Sequence, residues 1–211
     1  MENTIDFIFR WAHVVGGIVW IGMLYYFNFV QTEYFKEAEA EALKDAKAKL
    51  APRALGWFRW GAMLTFLTGL YLLYAIGAHN SLAGNYPVIW VGALAGTLMF
   101  LNVWLIIWPN QQIVLGLNGK SGDAAAAAGK AGLASRTNTL FSGPMLFGML
   151  GSKNLYISDP GGLGFWACVV LILAIEGNAL VGKTGPMTTV RGVIHCSVGL
   201  TVLVWLLLAF L

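Results

Sequence analysis

Long runs of apolar residues are the feature that most constrains this chain. Of its 211 residues, 58% are hydrophobic and only 11% are charged, whereas soluble domains carry about 25% charged residues. A run of about 20 apolar residues is long enough to cross a bilayer as a helix. Six apolar segments can be marked, at residues 5–30, 56–77, 87–108, 139–150, 163–181 and 189–211. The sequence therefore predicts an all-α integral membrane protein, a bundle of about six transmembrane helices in a single domain, 1–211.

The fourth segment, 139–150, is shorter than the others and contains Pro144. Partial crossing is one interpretation, and extra length gained from Thr137 and Asn138 is the other. The preceding stretch, 119–136, is rich in small residues and is expected to be a loop that ends in a helix. Residues 33–54 are rich in Ala, Glu and Lys, which predicts a charged helix that Pro52 ends. This helix is solvated or interfacial, and its alternative role is a docking arm for a partner.

The distribution of Lys and Arg predicts the topology, because positive residues concentrate in cytoplasmic loops. The basic residues group after the first, third and fifth segments: Lys36, Lys44, Lys47, Lys49 and Arg53, then Lys120, Lys130 and Arg136, then Lys183. The opposite loops hold only Lys153. These loops therefore place residues 33–54 in the cytoplasm and both termini outside it, in the periplasm or exterior.

Charge and cysteine content exclude other classes of protein. A net charge of +3 provides no basic surface for nucleic acid. Cys168 and Cys196 lie inside apolar segments and are expected to be small core residues. The sequence contains no C-x-x-C-H motif, which excludes covalent attachment of a c-type haem.

His13 lies inside the first apolar segment, where a histidine is a structural hydrogen-bonding group, a metal ligand or a proton-handling group. Gly16, Gly17 and Trp20 share its helix face, and the glycines leave room for a porphyrin or for another helix. A neutral imidazole is a good axial haem ligand. A second ligand would be His79 or His195. If all six segments cross the membrane, the rings of His13 and His195 would differ in depth by about 8 Å. Haem b and no cofactor at all both stay open, and no metal is assigned.

Glu176, Arg191 and His195 form a second group of polar residues at membrane depth. Arg191 and His195 are four residues apart and share a helix face. The short turn between the last two segments makes them antiparallel neighbours, so Glu176 is expected to lie near both and to pair with them. A proton path for transport is a weaker interpretation of this cluster.

Two stretches resemble the membrane domain of bacterial membrane-bound urate oxidases, also called urate hydroxylases. They are WAHVVGGIVWIGMLYYFNFVQ, residues 11–31, and SRTNTLFSGPMLFGML, residues 135–150. The resemblance implies a bacterial inner-membrane protein with His13 as a cofactor or substrate-site residue. It also makes Trp20, Asn138 and Thr139 motif residues. The histidine that the family has beside Asn138 is Thr137 here.

The resemblance further implies a redox-associated function, with catalytic residues that the sequence leaves unassigned. In that family a c-type cytochrome follows the membrane domain. The missing C-x-x-C-H motif and the end of the sequence at Leu211 lead us to expect that this domain is absent and that electrons pass to a separate cytochrome or other acceptor. The alternative is a non-catalytic accessory subunit that packs against a larger membrane protein complex. The lipid bilayer is a partner under both interpretations.

Overall fold

The computed structural model describes residues 2–78, 87–152, 154–155 and 162–211, and every regular element within these ranges is helical. The all-α prediction is confirmed. The elements up to residue 78 are α1 (Glu2–Tyr25), a π-helical turn (Tyr26–Gln31), α2 (Thr32–Glu37), α3 (Ala40–Asp45), a second π-helical turn (Ala46–Leu50) and α4 (Ala51–Ala78). The following elements are α5 (Pro87–Leu101), a third π-helical turn (Asn102–Ile107), α6 (Trp108–Val114), α7 (Ala124–Gly151), α8 (Leu163–Val181) and α9 (Val190–Phe210).

Five helical stretches are long and apolar enough to cross a membrane. They are Thr4–Glu37, Ala40–Gly77, Pro87–Val114, Leu163–Val181 and Val190–Phe210. Each runs through one of the predicted apolar segments. Large apolar side chains on these helices point outward, among them Ile18, Leu67, Leu105, Val170 and Val198. Such a surface is stable against lipid and not against water, so the chain is a multi-pass membrane protein that contacts the bilayer.

The fourth predicted segment belongs to α7, a helix of 28 residues that runs through Pro144. The stretch expected to be a loop is therefore mostly helical. The Asp123 carboxylate accepts hydrogen bonds from the backbone N–H groups of Ala125 and Ala126, at 2.9 and 3.0 Å, and so caps the helix. An Ala-rich sequence after a cap has high helix propensity. Because Lys130 and Arg136 reduce its apolar content, α7 is not one of the five apolar stretches, and its full crossing stays a prediction.

The charged helix predicted at 33–54 is interrupted earlier than expected. Ala38 and Glu39 are extended, with ψ angles of 139° and 148°, whereas the chain remains helical through Pro52. Pro52 lies inside the continuous helical stretch Ala40–Gly77, directly after the π-helical turn Ala46–Leu50, and such local adjustments accommodate a residue that lacks a backbone N–H. Two exposed ion pairs, Glu33–Lys36 and Asp45–Lys49, lie along this region, as expected for a solvated helix. Its cytoplasmic location and the single-domain assignment stay predictions.

The described residues form two compact units. The first comprises residues 1–73 and 100–135, and the second comprises 74–99 and 136–211. In the first, α1 packs on α4: a Cβ added to Gly61 would lie 3.1 Å from the backbone nitrogen of Trp20. Phe27 and Phe58 meet edge to face below this contact, and the Asp6 carboxylate accepts a 2.8 Å hydrogen bond from Tyr71.

In the second unit, α7 contacts both α5 and α9. A Cβ on Gly148 would lie 2.5 Å from Gly92 Cα, so the backbones of α5 and α7 touch. The Ser197 hydroxyl of α9 donates a 2.9 Å hydrogen bond to the Leu140 carbonyl of α7. Small residues allow this close approach of helices in lipid.

Candidate functional site

His13 is hydrogen-bonded to helix α4 through one ring nitrogen only. Its Nδ1 lies 2.8 Å from the Thr65 carbonyl oxygen and 3.3 Å from the Thr68 hydroxyl. A carbonyl can only accept a hydrogen bond, so Nδ1 carries the proton. The other ring nitrogen, Nε2, then holds the lone pair of the neutral imidazole and has no hydrogen-bond partner among the described residues. Metal-ligating histidines commonly have this arrangement, with one nitrogen bonded to a carbonyl and the other available.

Helix packing occupies the space beside the glycines near His13. A Cβ on Gly16 would lie 2.8 Å from the Thr65 hydroxyl oxygen, and one on Gly69 would lie 3.0 Å from His13 Cε1. The His13 ring therefore packs directly on the α4 backbone. Of the two uses considered for these glycines, close helix packing is the one observed. Any large cofactor would have to approach His13 from its Nε2 side, away from α4.

The two other candidate ligands are His195 and His79. His195, on α9, is exposed and belongs to the second unit, whereas His13 belongs to the first. His79 lies outside the described residues. No group of three or more His, Cys, Asp or Glu residues suited to a metal ion occurs within the described ranges. His13 is thus the candidate cofactor ligand whose ring geometry the structure defines.

The predicted cluster of Glu176, Arg191 and His195 differs in exposure across its members. Glu176 is buried, with 9% of its surface exposed, and its carboxylate has a partner. Arg191 and His195 are both exposed on α9. The pairing of Glu176 with either of them stays a prediction.

A stretch of buried polar residues lies on α7, and we call it the polar stretch. Every member has 7% or less of its surface exposed, and none lacks a partner: Arg136, Thr137, Asn138, Thr139 and Ser142. The Asn138 amide donates a 2.9 Å hydrogen bond to the Met99 carbonyl, and the Ser142 hydroxyl donates a 2.7 Å bond to the Thr139 carbonyl. All five belong to the second unit. Buried polar groups in a membrane protein are costly and mark candidate sites.

Arg136 is the member of this stretch that the sequence placed wrongly. It counted as a basic residue of a cytoplasmic loop, but it lies within α7 and is buried. The signal for a continuous helix is the Ala-rich stretch before Arg136, because alanine has the highest helix propensity. The motif residues Asn138 and Thr139 lie in the same interior.

Two further buried polar residues, Asn28 and Asn102, were not singled out from the sequence. Both lie in π-helical turns, and both are at least 97% buried. The wide turn changes the pattern of backbone hydrogen bonds, and the Asn28 amide donates to the Leu24 carbonyl at 2.9 Å. The same amide group donates to the Ser135 hydroxyl at 2.8 Å. π-Helical turns often occur at functional sites, and an Asn inside an apolar run was the available signal.

Trp20, the third motif residue, is a core residue in this structure. Only 2% of its surface is exposed. Its indole Nε1 is buried and has no hydrogen-bond partner within the described part of the chain. Its neighbour across the contact is Gly61 on α4. The observed geometry therefore gives Trp20 a packing role between α1 and α4.

These features define a multi-pass membrane protein whose helices carry polar residues in their interior. A family model described as Urate oxidase N-terminal matches residues 73–183, about half of the chain. The chain belongs to the urate oxidase N-terminal family. The match contains the second motif segment, 135–150, and Glu176. It does not include α1, so the likeness proposed for residues 11–31 stays a prediction. No curated protein and no solved structure matches the chain.

Proposed function

We propose that this chain is a redox-associated subunit of the urate oxidase type, which holds its substrate in the membrane domain and passes electrons to a separate acceptor. The observation that carries the proposal is the polar stretch on α7. It lies inside the matched region, and several buried polar side chains on one membrane helix are costly and mark a candidate functional site.

Urate is the substrate to test first, because the family is named for it. Its hydroxylation consumes one urate and one water and yields 5-hydroxyisourate, two protons and two electrons. The chain then has three tasks: to bind a planar, polar substrate, to accept protons and to transfer two electrons onward. Asn138, Thr139 and Ser142 carry amide and hydroxyl groups of the kind such a molecule requires, and Arg136 carries a positive charge; all four are buried and have partners within the protein, so a bound substrate would have to replace some of those contacts.

Haem b fits His13, because His13 has a neutral imidazole that would hold the cofactor. The bond from Nδ1–H to the Thr65 carbonyl fixes the tautomer and orients the ring, and Nε2 is the nitrogen that would bind iron. Haem would supply one-electron transfer. Thr65, Thr68 and Gly69 hold the ring on α4 whether or not a cofactor binds.

An accessory, non-catalytic subunit is the second candidate, and Thr137 favours it. Thr137 is fully buried on α7, at the position where the family motif has a histidine. A threonine there has neither a titratable ring nor a metal-binding nitrogen. In this case the partners would be other membrane subunits, and the polar stretch would be a remnant of an active ancestor.

Electron transfer from urate to ferricyanide separates these two candidates. The detergent-purified full chain is expected to reduce two ferricyanide ions for each urate consumed. Asn138→Ala should lose most of this activity, whereas Asn178→Ala, a change at an exposed Asn on α8, should keep it. Size-exclusion profiles show whether each variant folds. If the folded wild-type chain transfers no electrons from urate, the redox proposal fails and the accessory role is favoured.

A further inference from the structure

Arg59 on α4 is surrounded by tryptophan rings. Its guanidinium carbon lies 3.8 Å from the ring centroid of Trp108, which is stacking distance. The rings of Trp60 and Trp104 lie 5.9 and 6.0 Å away and meet each other edge to face, with centroids 5.6 Å apart. All four residues belong to the first unit. One face of the guanidinium is thus covered by the Trp108 ring.

The Arg59 charge has no anionic partner in the described part of the chain. No carboxylate lies within ion-pair distance of it there. Its Nε is buried without a hydrogen-bond acceptor, and the Nε1 of the neighbouring Trp104 is in the same condition. Buried N–H groups normally have partners. The three aromatic rings stabilise the positive charge of Arg59. They do not accept a hydrogen bond from its Nε–H group.

The position of Arg59 along the span corresponds to the lipid headgroup level. The helical stretch Ala40–Gly77 has 38 residues, far more than the about 20 that cross the hydrocarbon core. Arg59 lies about 4.5 Å inside the apolar part that begins near residue 56. Trp108 lies about 32 Å along its own span from Pro87, which is the thickness of the core. Tryptophans are typical of this boundary.

From these observations we infer that Arg59, with Trp60, Trp104 and Trp108, forms a binding site for a phosphate group, and that an anionic phospholipid supplies it. The planar guanidinium edge offers paired N–H donors to two phosphate oxygens. The Trp104 indole offers one more donor close by. The tryptophan rings provide an apolar surface against which the upper acyl chain packs. This site is independent of any redox activity.

Native mass spectrometry of the detergent-purified full chain tests this site. The chain is titrated with phosphatidylglycerol, and with phosphatidylcholine of the same acyl chains as the neutral comparison. Wild type is expected to prefer phosphatidylglycerol. Arg59→Gln should weaken that binding roughly fivefold to tenfold, to the level of phosphatidylcholine. Arg53→Gln is the matched control, because Arg53 is an exposed arginine on the same helix outside the tryptophan cluster, and its binding should not change.

Arg59→Lys and free phosphate complete the test. Lysine keeps the charge but loses the stacked planar donor pair, so this variant should fold like wild type and bind phosphatidylglycerol more weakly. Wild-type binding by Arg59→Lys or by Arg59→Gln would overturn the site. An equal loss in Arg53→Gln would also overturn it, because the effect would then be general surface charge. Displacement of the lipid by millimolar inorganic phosphate would overturn the lipid assignment and indicate a soluble phosphate compound.

Discussion

Gly148→Ala is expected to destabilise the second unit, because a methyl group at this position has no space. The new Cβ would lie 2.5 Å from Gly92 Cα and 2.7 Å from both the Gly92 nitrogen and the Val88 carbonyl oxygen. Carbon atoms pack at about 3.5–4.0 Å, so α5 and α7 would have to separate by about 1 Å. All the nearby atoms belong to backbone and cannot rotate away, unlike the end of a flexible side chain.

The expected magnitude follows from two opposing effects. Overpacking of this kind costs about 1–3 kcal/mol, and replacing Gly by Ala within a helix returns about 0.5–1 kcal/mol. The net loss for Gly148→Ala is therefore about 0–2.5 kcal/mol. Gly177→Ala on α8 is the matched control, because nothing lies within 4 Å of its added Cβ. Gly177→Ala should therefore show only the gain of about 0.5–1 kcal/mol from replacing Gly by Ala in a helix.

Unfolding by SDS in mixed micelles, followed by tryptophan fluorescence, measures both free energies of unfolding. The reasoning predicts that Gly148→Ala unfolds at a lower SDS fraction than wild type, and that Gly177→Ala unfolds at the same or a higher fraction. Gly92→Ala should fall between them, since its closest contact is 3.0 Å. Equal stability of Gly148→Ala and Gly177→Ala would refute the backbone contact between α5 and α7.

Two other predictions concern topology and the polar residues near the last helices. After replacement of Cys168 and Cys196, single cysteines at Ala42 and Ala83 should react with a membrane-impermeant thiol reagent from opposite sides, and labelling from one side would contradict the topology. In double-mutant cycles, Glu176→Gln should show an interaction free energy with Arg191→Gln or His195→Gln if the predicted cluster forms, whereas additive losses for both pairs would argue against it.

The apolar segments were predictable because membrane crossing depends on length and composition, which the sequence displays directly. The full extent of α7 was not predictable in this way, because the first half of this helix is rich in Ala and Gly rather than in large apolar residues. Asp123 is the local reason that this helix begins at Ala124, and one acidic residue before an Ala run was an available but weak signal. Pro52 illustrates the opposite error, since the π-helical turn directly before it accommodates the proline and the helix continues.

The candidate site was predictable only in part, because burial depends on partners that are distant in sequence. His13 was identified from its apolar surroundings, but its tautomer required the position of the Thr65 carbonyl, 52 residues away. Arg136 was misplaced because a basic residue at the edge of an apolar run is normally solvated. Arg59 also lies at such an edge. The sequence around it did not predict its contacts with Trp104 and Trp108, because helix packing brings those residues to it.

The visible absorption spectrum of the purified wild-type chain tests the redox proposal most directly. If His13 binds haem b, the oxidised protein should show a Soret band that shifts on reduction with dithionite. His13→Ala should then lose that band while it still elutes as a folded species. Asn178→Ala, a control change at an exposed residue of α8, should keep the Soret band. A wild-type chain without a Soret band, or a band that survives unchanged in His13→Ala, would contradict haem ligation by His13.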